Sequence, residues 1–345
     1  MNKKESKIDL RGLNRLETEE WLQEIGLEKY RAGQIRQWLF KKLACSFDDM
    51  TNISKNLREN LKARANIEHL KKVKTQVSED STEKFLFRLD DGLFIESVLI
   101  PERDHFTLCI SSQAGCAMGC RFCLTAKQGF KRNLSSGEIV GQVIQVKRAM
   151  RFPDKLTNIV FMGMGEPLAN YQSVLRATAN IIADDGMNFS HRKVTLSTSG
   201  LIPWMRKLGK ESSVNLAVSL NAADDETRSS IMPINRKYPL KKLIAACKDF
   251  PLPNRRMITF EYVLINGIND RSDDAHNLIK LLSGVRSKIN LIPLNNAPGL
   301  DLIGSTMAKI LKFQAILTRN HFTAIIRKSK GSDISAACGQ LTGEA

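Results

Sequence analysis

No uninterrupted apolar stretch in this sequence approaches the roughly 20 residues needed to cross a bilayer, so no membrane-spanning helix is expected. No apolar run follows the opening Met1-Asn2-Lys3-Lys4-Glu5-Ser6-Lys7, so no secretory signal is expected either. Seven cysteines in 345 residues are too few for a disulfide scaffold. A reducing, cytoplasmic location follows. Internal repeats and low-complexity tracts are absent. Acidic residues are in deficit, with 36 Asp and Glu against 52 Lys and Arg, for a net charge of +16. A soluble chain this basic is expected to meet a polyanion. Its length and 42% hydrophobic content are ample for one large domain plus a small accessory one.

Three of the few cysteines stand together in Cys116-Ala-Met-Gly-Cys120-Arg-Phe-Cys123. Thiolates are soft ligands that hold iron–sulfur clusters or zinc. Three local ligands leave one metal position free. A structural zinc completed by Cys109 or His105 is the alternative, although zinc ligands usually come as two separated pairs. The C-x3-C-x2-C spacing resembles the signature of radical S-adenosylmethionine (SAM) enzymes. That resemblance implies a [4Fe–4S] cluster whose fourth iron takes the amino and carboxylate groups of SAM, and cleavage of SAM to a 5′-deoxyadenosyl radical.

Along the chain, Leu13, Leu16, Trp21, Leu22 and Ile25 recur at helical spacing. Ile35, Trp38, Leu39, Phe40 and Leu43 follow with Arg31, Arg36, Lys41 and Lys42 interleaved, and then Leu57, Leu61 and Ala65. Residues 1–75 are therefore expected to form a small helical domain with basic faces suited to RNA. Residues 76–101 read as a hairpin, with Asp90-Asp91-Gly92 turning between two alternating strands. Glu96 interrupts the second of them. From 102 to 331 strands alternate with helices, beginning with Thr107–Ser111 and a capping box at Ser135-Ser136-Gly137-Glu138. Such alternation predicts a parallel sheet with active groups at the strand C-terminal ends. About six units match the partial (βα)6 barrel that the radical SAM resemblance implies. Residues 332–345 form a Gly/Ser/Ala-rich tail, expected to be mobile. Cys45 and Cys247 read as packing.

Candidate groups stand at the strand ends. Phe161-Met-Gly-Met-Gly-Glu-Pro-Leu168 places Gly165 and Glu166 after the second strand, where a carboxylate suits an ammonium group. Ser197 ends the third strand, Ser219-Leu220-Asn221 the fourth, and Asn295 follows the sixth. Short hydroxyl and amide groups there can bond a ribose or an adenine edge.

With Gln128-Gly-Phe-Lys-Arg-Asn-Leu134, with Cys109 seven residues before Cys116, and with Cys338 in Asp333-Ile-Ser-Ala-Ala-Cys-Gly-Gln-Leu341, these motifs resemble the RlmN family, kin of the Cfr enzymes. The resemblance runs nearly the whole chain. It implies methylation of C2 of an adenosine in 23S rRNA near the peptidyl-transferase centre, and of the adenosine beside the anticodon of some tRNAs. It implies Cys116, Cys120 and Cys123 as cluster ligands. Gly165, Glu166, Ser197, Ser219, Leu220, Asn221 and Asn295 are implied as the SAM site. Cys338 is implied as the methyl carrier, Cys109 as its resolving partner, Glu96 as proton acceptor, and a donor such as flavodoxin as electron source. The family often has His where this chain has Asn221, which puts any imidazole role in doubt. C2 of adenine is electron-poor, so direct nucleophilic methylation cannot reach it; two SAM and a thiol relay are implied instead. A Cfr-like C8 methyltransferase uses the same machinery, and Gly165-Glu166-Pro167-Leu168 and Gln128-Gly129-Phe130 lean toward C2. A non-catalytic RNA-binding protein with a structural metal is the rival of another class.

Overall fold

The structure, a computed structural model, describes residues 7–67, 70–295 and 297–344; the opening stretch examined for a secretory signal lies, through Ser6, outside the described residues. Helix α1 (Arg15–Glu24) starts at a capping box in which Asn14 and Glu17 exchange hydrogen bonds. Helix α2 (Arg31–Arg36) runs into a π-helical turn, Gln37–Lys41, and α3 (Lys55–Arg64) follows. This module docks on the rest of the molecule through Arg36. The guanidinium is buried, meets Asp185 at 2.8 Å and donates to Asn180 at 3.1 Å. Its apolar side chains belong to the same continuous core as the sheet.

Among the described residues ten strands form one sheet, in sequence order from edge to edge. They are β1 (Leu70–Val77), β2 (Glu83–Leu89), β3 (Phe94–Pro101), β4 (Phe106–Cys109) and β5 (Leu156–Phe161). Then come β6 (Val194–Thr198), β7 (Asn215–Ser219), β8 (Ile258–Leu264), β9 (Ser287–Pro293) and β10 (Ala324–Ile326). β1 to β4 pair antiparallel and β4 to β10 parallel. β1 was not legible as a strand. It is an edge strand carrying Lys71, Lys72 and Lys74, mostly exposed, so no apolar alternation marks it.

Helices cross between the parallel strands: α5 (Ser136–Ala149), α6 (Tyr171–Ile182), α7 (Ile202–Glu211), α8 (Asp225–Ile231) with α9 (Leu240–Lys248), α10 (Ser272–Leu282) and α11 (Met307–Arg319). A short α4 (Leu124–Lys127) precedes them. Six βα units and a closing strand make the expected α/β radical SAM architecture. The crossing helices cover the parallel strands; Leu108, Ile159, Leu196, Leu216, Phe260 and Ile289 are all inaccessible or nearly so. Ser135 caps α5 and bonds Glu138 reciprocally, as the capping-box spacing predicts. Among the described residues no helix is long and apolar enough to cross a membrane.

The tail departs from its expected mobility. Gly331 donates to Asp80 at 3.1 Å, and Ser78 donates to Asp333 at 2.5 Å. Leu124 N–H donates to the Gly339 carbonyl at 2.7 Å, and Thr125 Oγ1 to that of Leu341 at 2.6 Å. A small-residue segment has little apolar surface to hold it. This one is held because its backbone groups find partners on the hairpin and on α4.

Candidate active site

The cluster loop is built from a close backbone approach. Gln113–Gly115 pairs antiparallel with Phe130–Asn133, and Cys116 N–H donates to the Gly129 carbonyl at 3.1 Å. Gly115 has φ +74°, and a Cβ there would stand 1.9 Å from that carbonyl oxygen. Only glycine fits. Gly115→Ala is therefore expected to push Cys116 out of place and to cut iron content after anaerobic reconstitution by more than half. Full, stoichiometric iron and sulfide in that variant would contradict this. Cys123 stands at the start of α4, and its N–H donates to the Cys120 carbonyl at 3.2 Å. All three thiols are free and line one cavity.

Burial pushes the Cys116 thiol up to about 12, and pushes Cys120 well up, with the neighbouring thiols adding to the effect. Left alone, these groups stay protonated; coordinated iron is what deprotonates such thiols. Among the described residues no three His, Cys, Asp or Glu side chains converge on a point that would hold a single metal ion. A single zinc fits poorly, whereas a cubane takes each thiolate on a different iron and needs no such convergence. Three soft donors around one open cavity fit a [4Fe–4S] cluster with a free iron position.

Opposite the thiols stand the strand ends. Glu166 is buried on the cavity wall, and burial raises its carboxyl. Its Oε2 accepts from Ser199 N–H (2.7 Å) and Ser199 Oγ (2.8 Å), and its Oε1 from Leu168 N–H (3.1 Å). Its own N–H donates to Gln113 at 2.9 Å, next to the cluster loop. A carboxylate so fixed, with its charge facing the cavity, suits an ammonium group. Ser197 and Ser219 line the same wall.

Asn221 does too, with φ +59°, a conformation that asparagine tolerates better than most residues. Its Oδ1 accepts from Val263 N–H at 2.8 Å, and its Nδ2 lies 3.2 Å from Met232 Sδ. The amide stitches the ends of β7 and β8 together, a task that needs one donor and one acceptor rather than an ionisable ring.

The tail brings Cys338 to this cavity. The residue is open to the cavity yet walled in by protein. That burial, then the charge of Glu261, pushes its thiol up to about 11. Asn295 Nδ2 donates to the Cys338 carbonyl at 3.2 Å. Gly339, with φ +84°, lets the chain pass where a Cβ would lie 2.8 Å from the Phe122 carbonyl. Cys109 ends β4, buried and off the cavity wall, but near enough that charge on Cys338 adds to burial in raising its thiol.

Three expected site residues do not line the cavity. Leu220 is buried, with its N–H donating to the Glu261 carbonyl and its carbonyl taken by Arg228. Cys109 is the second. Glu96 is the third: it is buried beside Lys84 (3.0 Å), and its Oε2 accepts from Thr342 N–H (2.8 Å) and Gly343 N–H (2.9 Å) of the tail. Sequence reasoning also missed Glu261 and Arg228. Glu261 had a signal, a lone carboxylate in the apolar run Ile258–Leu264; it lines the cavity and is bonded by Asn290 at 2.9 Å. Arg228 had none.

Residues 8–67 match the family described as ribosomal RNA large subunit methyltransferase N-terminal domain, and residues 110–281 match the radical SAM superfamily. The chain is 53% identical over 337 residues to the dual-specificity RNA methyltransferase RlmN of Geobacter sulfurreducens, covering 98% of this chain and 92% of that one. It is likewise 53% identical to the protein of that name in Geotalea uraniireducens, covering 98% and 97%. A solved radical SAM methyltransferase from Sphaerobacter thermophilus superposes with a TM-score of 0.93 at 44% identity, covering 98% of this chain and all of that one.

Proposed function

This chain belongs to the RlmN family of radical SAM RNA methyltransferases, and on that premise we propose how its own residues divide the work. It is an RNA methyltransferase of dual specificity, acting on C2 of adenosine in ribosomal RNA and tRNA, and it uses a [4Fe–4S] cluster and SAM. The observation that carries the residue assignments is one cavity lined together by Cys116, Cys120, Cys123, Glu166 and the tail thiol Cys338.

When bound, the cluster and SAM supply a carbon radical able to take hydrogen from a methyl group. Cys116, Cys120 and Cys123 hold the cluster. Glu166, fixed by Ser199, binds the SAM ammonium, and Ser197, Ser219 and Asn295 bond its polar edges. Cys338, as thiolate, would take the methyl of bound SAM by direct displacement, S-adenosylhomocysteine leaving, and would carry it to the adenine. Glu96 takes the C2 proton. In the structure that carboxylate is engaged by the tail amides of Thr342 and Gly343, so the tail must lift before Glu96 meets the base. Cys109, as thiolate, then attacks Cys338 Sγ; a disulfide forms as the bond from that sulfur to the transferred carbon breaks, and its electron pair passes to that carbon, which takes a proton to complete the methyl group. Glu96→Gln is expected to slow product formation by roughly 10²–10⁴-fold, the usual weight of a general base. Single-turnover rates unchanged from the parent would reject the assignment.

The electron is assigned to a small acidic redox protein of the flavodoxin type, which the +16 net charge favours. A reducing, cytoplasmic setting belongs to the same reading, since all seven cysteines are free. The test is anaerobic incubation of reconstituted protein with SAM, reductant, and ribosomal RNA or tRNA, then mass spectrometry of the digested RNA. A methyl on adenine C2 is expected. A methyl on C8 would make the chain Cfr-like, and no methyl would overturn the reading.

A further inference from the structure

Arg228, near the middle of α8, is a fully buried cation. Its Nε donates to the Leu220 carbonyl (2.9 Å), its NH2 to the carbonyls of Ser199 (2.8 Å) and Ser219 (3.1 Å), and its NH1 to Asn235 Oδ1 (2.9 Å). All four acceptors are neutral. Among the described residues it forms no ion pair; Asp225 is linked to it through Asn235, whose Nδ2 donates to Asp225 Oδ1 at 2.9 Å. Burial pulls the guanidinium down to about 10, so it remains charged at neutral pH; Cys120, Asp225 and Cys247 are the nearby groups whose negative charge would oppose that pull. A buried charge whose nearest carboxylate, Asp225, is reached only through Asn235 is costly, and hydrogen bonds to carbonyls offset only part of that cost.

A further anion has a place beside it. The segment after α8 lies against the cluster loop. Arg121 N–H donates to the Ile231 carbonyl at 3.0 Å, and a Cβ on Gly119 would lie 3.4 Å from Pro233. Met232, next along, lines the cavity. A cubane held by three thiolates carries net negative charge, which deepens by one unit on reduction, and net charge is among the features that set its potential.

We propose that Arg228 is a positioning residue whose fixed charge balances the thiolate-bound cluster and raises its reduction potential, while its forked donors hold three strand-end carbonyls of the SAM wall. This rests on the cluster assignment made above. The surrounding Ser199, Ser219 and Leu220 carbonyls point their negative ends at the guanidinium.

The test uses the reconstituted full chain without SAM or RNA. Iron and sulfide are counted, and the cluster is titrated with dithionite and mediators while its reduced signal is followed by electron paramagnetic resonance. Arg228→Met is expected to take up the cluster but to disfavour its reduction at least about tenfold, a midpoint about 59 mV lower for a one-electron couple. Arg228→Lys, which keeps the charge, is expected to hold the reduction equilibrium within about threefold of the parent. If Arg228→Met does not fold, Arg228→Gln carries the same comparison, since it keeps a donor and drops the charge. A loaded charge-neutral variant with the parent's midpoint would overturn the proposal. So would a lysine variant as hard to reduce as the neutral one, which would assign the effect to the carbonyl bonds. A parent protein that binds no cluster would instead overturn the cluster assignment, a distinct failure visible in the iron count.

Discussion

Cys338→Ala is expected to abolish RNA methylation while leaving the cluster in place. The loss should be on the order of 10⁴-fold or more, the scale seen when a covalent nucleophile is removed. Cys338 is the thiol that the tail carries to the cavity, and its neighbours there do not duplicate it: Cys116, Cys120 and Cys123 are the proposed cluster ligands, and Cys109 stands on β4 off the cavity wall. Stability should change little. The residue is open to the cavity, and the tail is anchored by other groups, through Asp80, Asp333, Thr125 and Glu96. Two measurements check this. Methyl-labelled SAM should label the tail peptide of the parent and not that of the variant, and the iron content of the two should agree. A variant that still methylates RNA at a measurable fraction of the parent rate would end the relay mechanism.

Cys109→Ala is expected to stall the reaction at its last step, with protein left covalently joined to RNA. Cys109 lies where it can resolve such an adduct: at the end of β4, next to the loop that leads to the cluster, and within electrostatic reach of Cys338. Burial keeps its thiol protonated in the resting protein, so it reacts only once charge or solvent around it changes, as when RNA and the shifted tail rearrange the site. A thiol replaced by a methyl leaves only a small gap in the core, so folding should be spared. The expected result is a slow-migrating band on a denaturing gel that ribonuclease removes, with turnover stopping near one event per protein. Normal multiple turnover would show that the disulfide route is wrong. A trapped band in Cys109→Ala and none in the double variant with Cys338→Ala would place the bond on the tail thiol.

Most of the architecture was legible because apolar periodicity reports burial, and each parallel strand buries an apolar face under the crossing helices. The runs around Ile159, Leu196, Val218 and Phe260 announced their strands within a residue or two of the observed ends. β1 escaped because an exposed edge strand needs no such pattern. The cluster loop was legible for a different reason: its ligands are local, so their spacing is written in consecutive residues. Glu96 shows the limit. A carboxylate in an apolar strand reads as an outward residue, yet it is buried, because Lys84 and two tail amides from some 250 positions away come to meet it.

The sequence alone determined the βα alternation, the C-x3-C-x2-C loop and the family, since each depends on residues near one another in the chain. Tertiary structure alone decided that the tail is docked rather than free. It also decided that Asn221 ties two strands together, that Leu220 turns away from the cavity, and that Arg228 lies buried against three strand-end carbonyls. The reason is physical. Short-range steric and hydrophobic preferences are encoded within a few residues, whereas the partner of a buried charge or amide is set by how distant segments come together, and only then is the balance of desolvation and hydrogen bonding known.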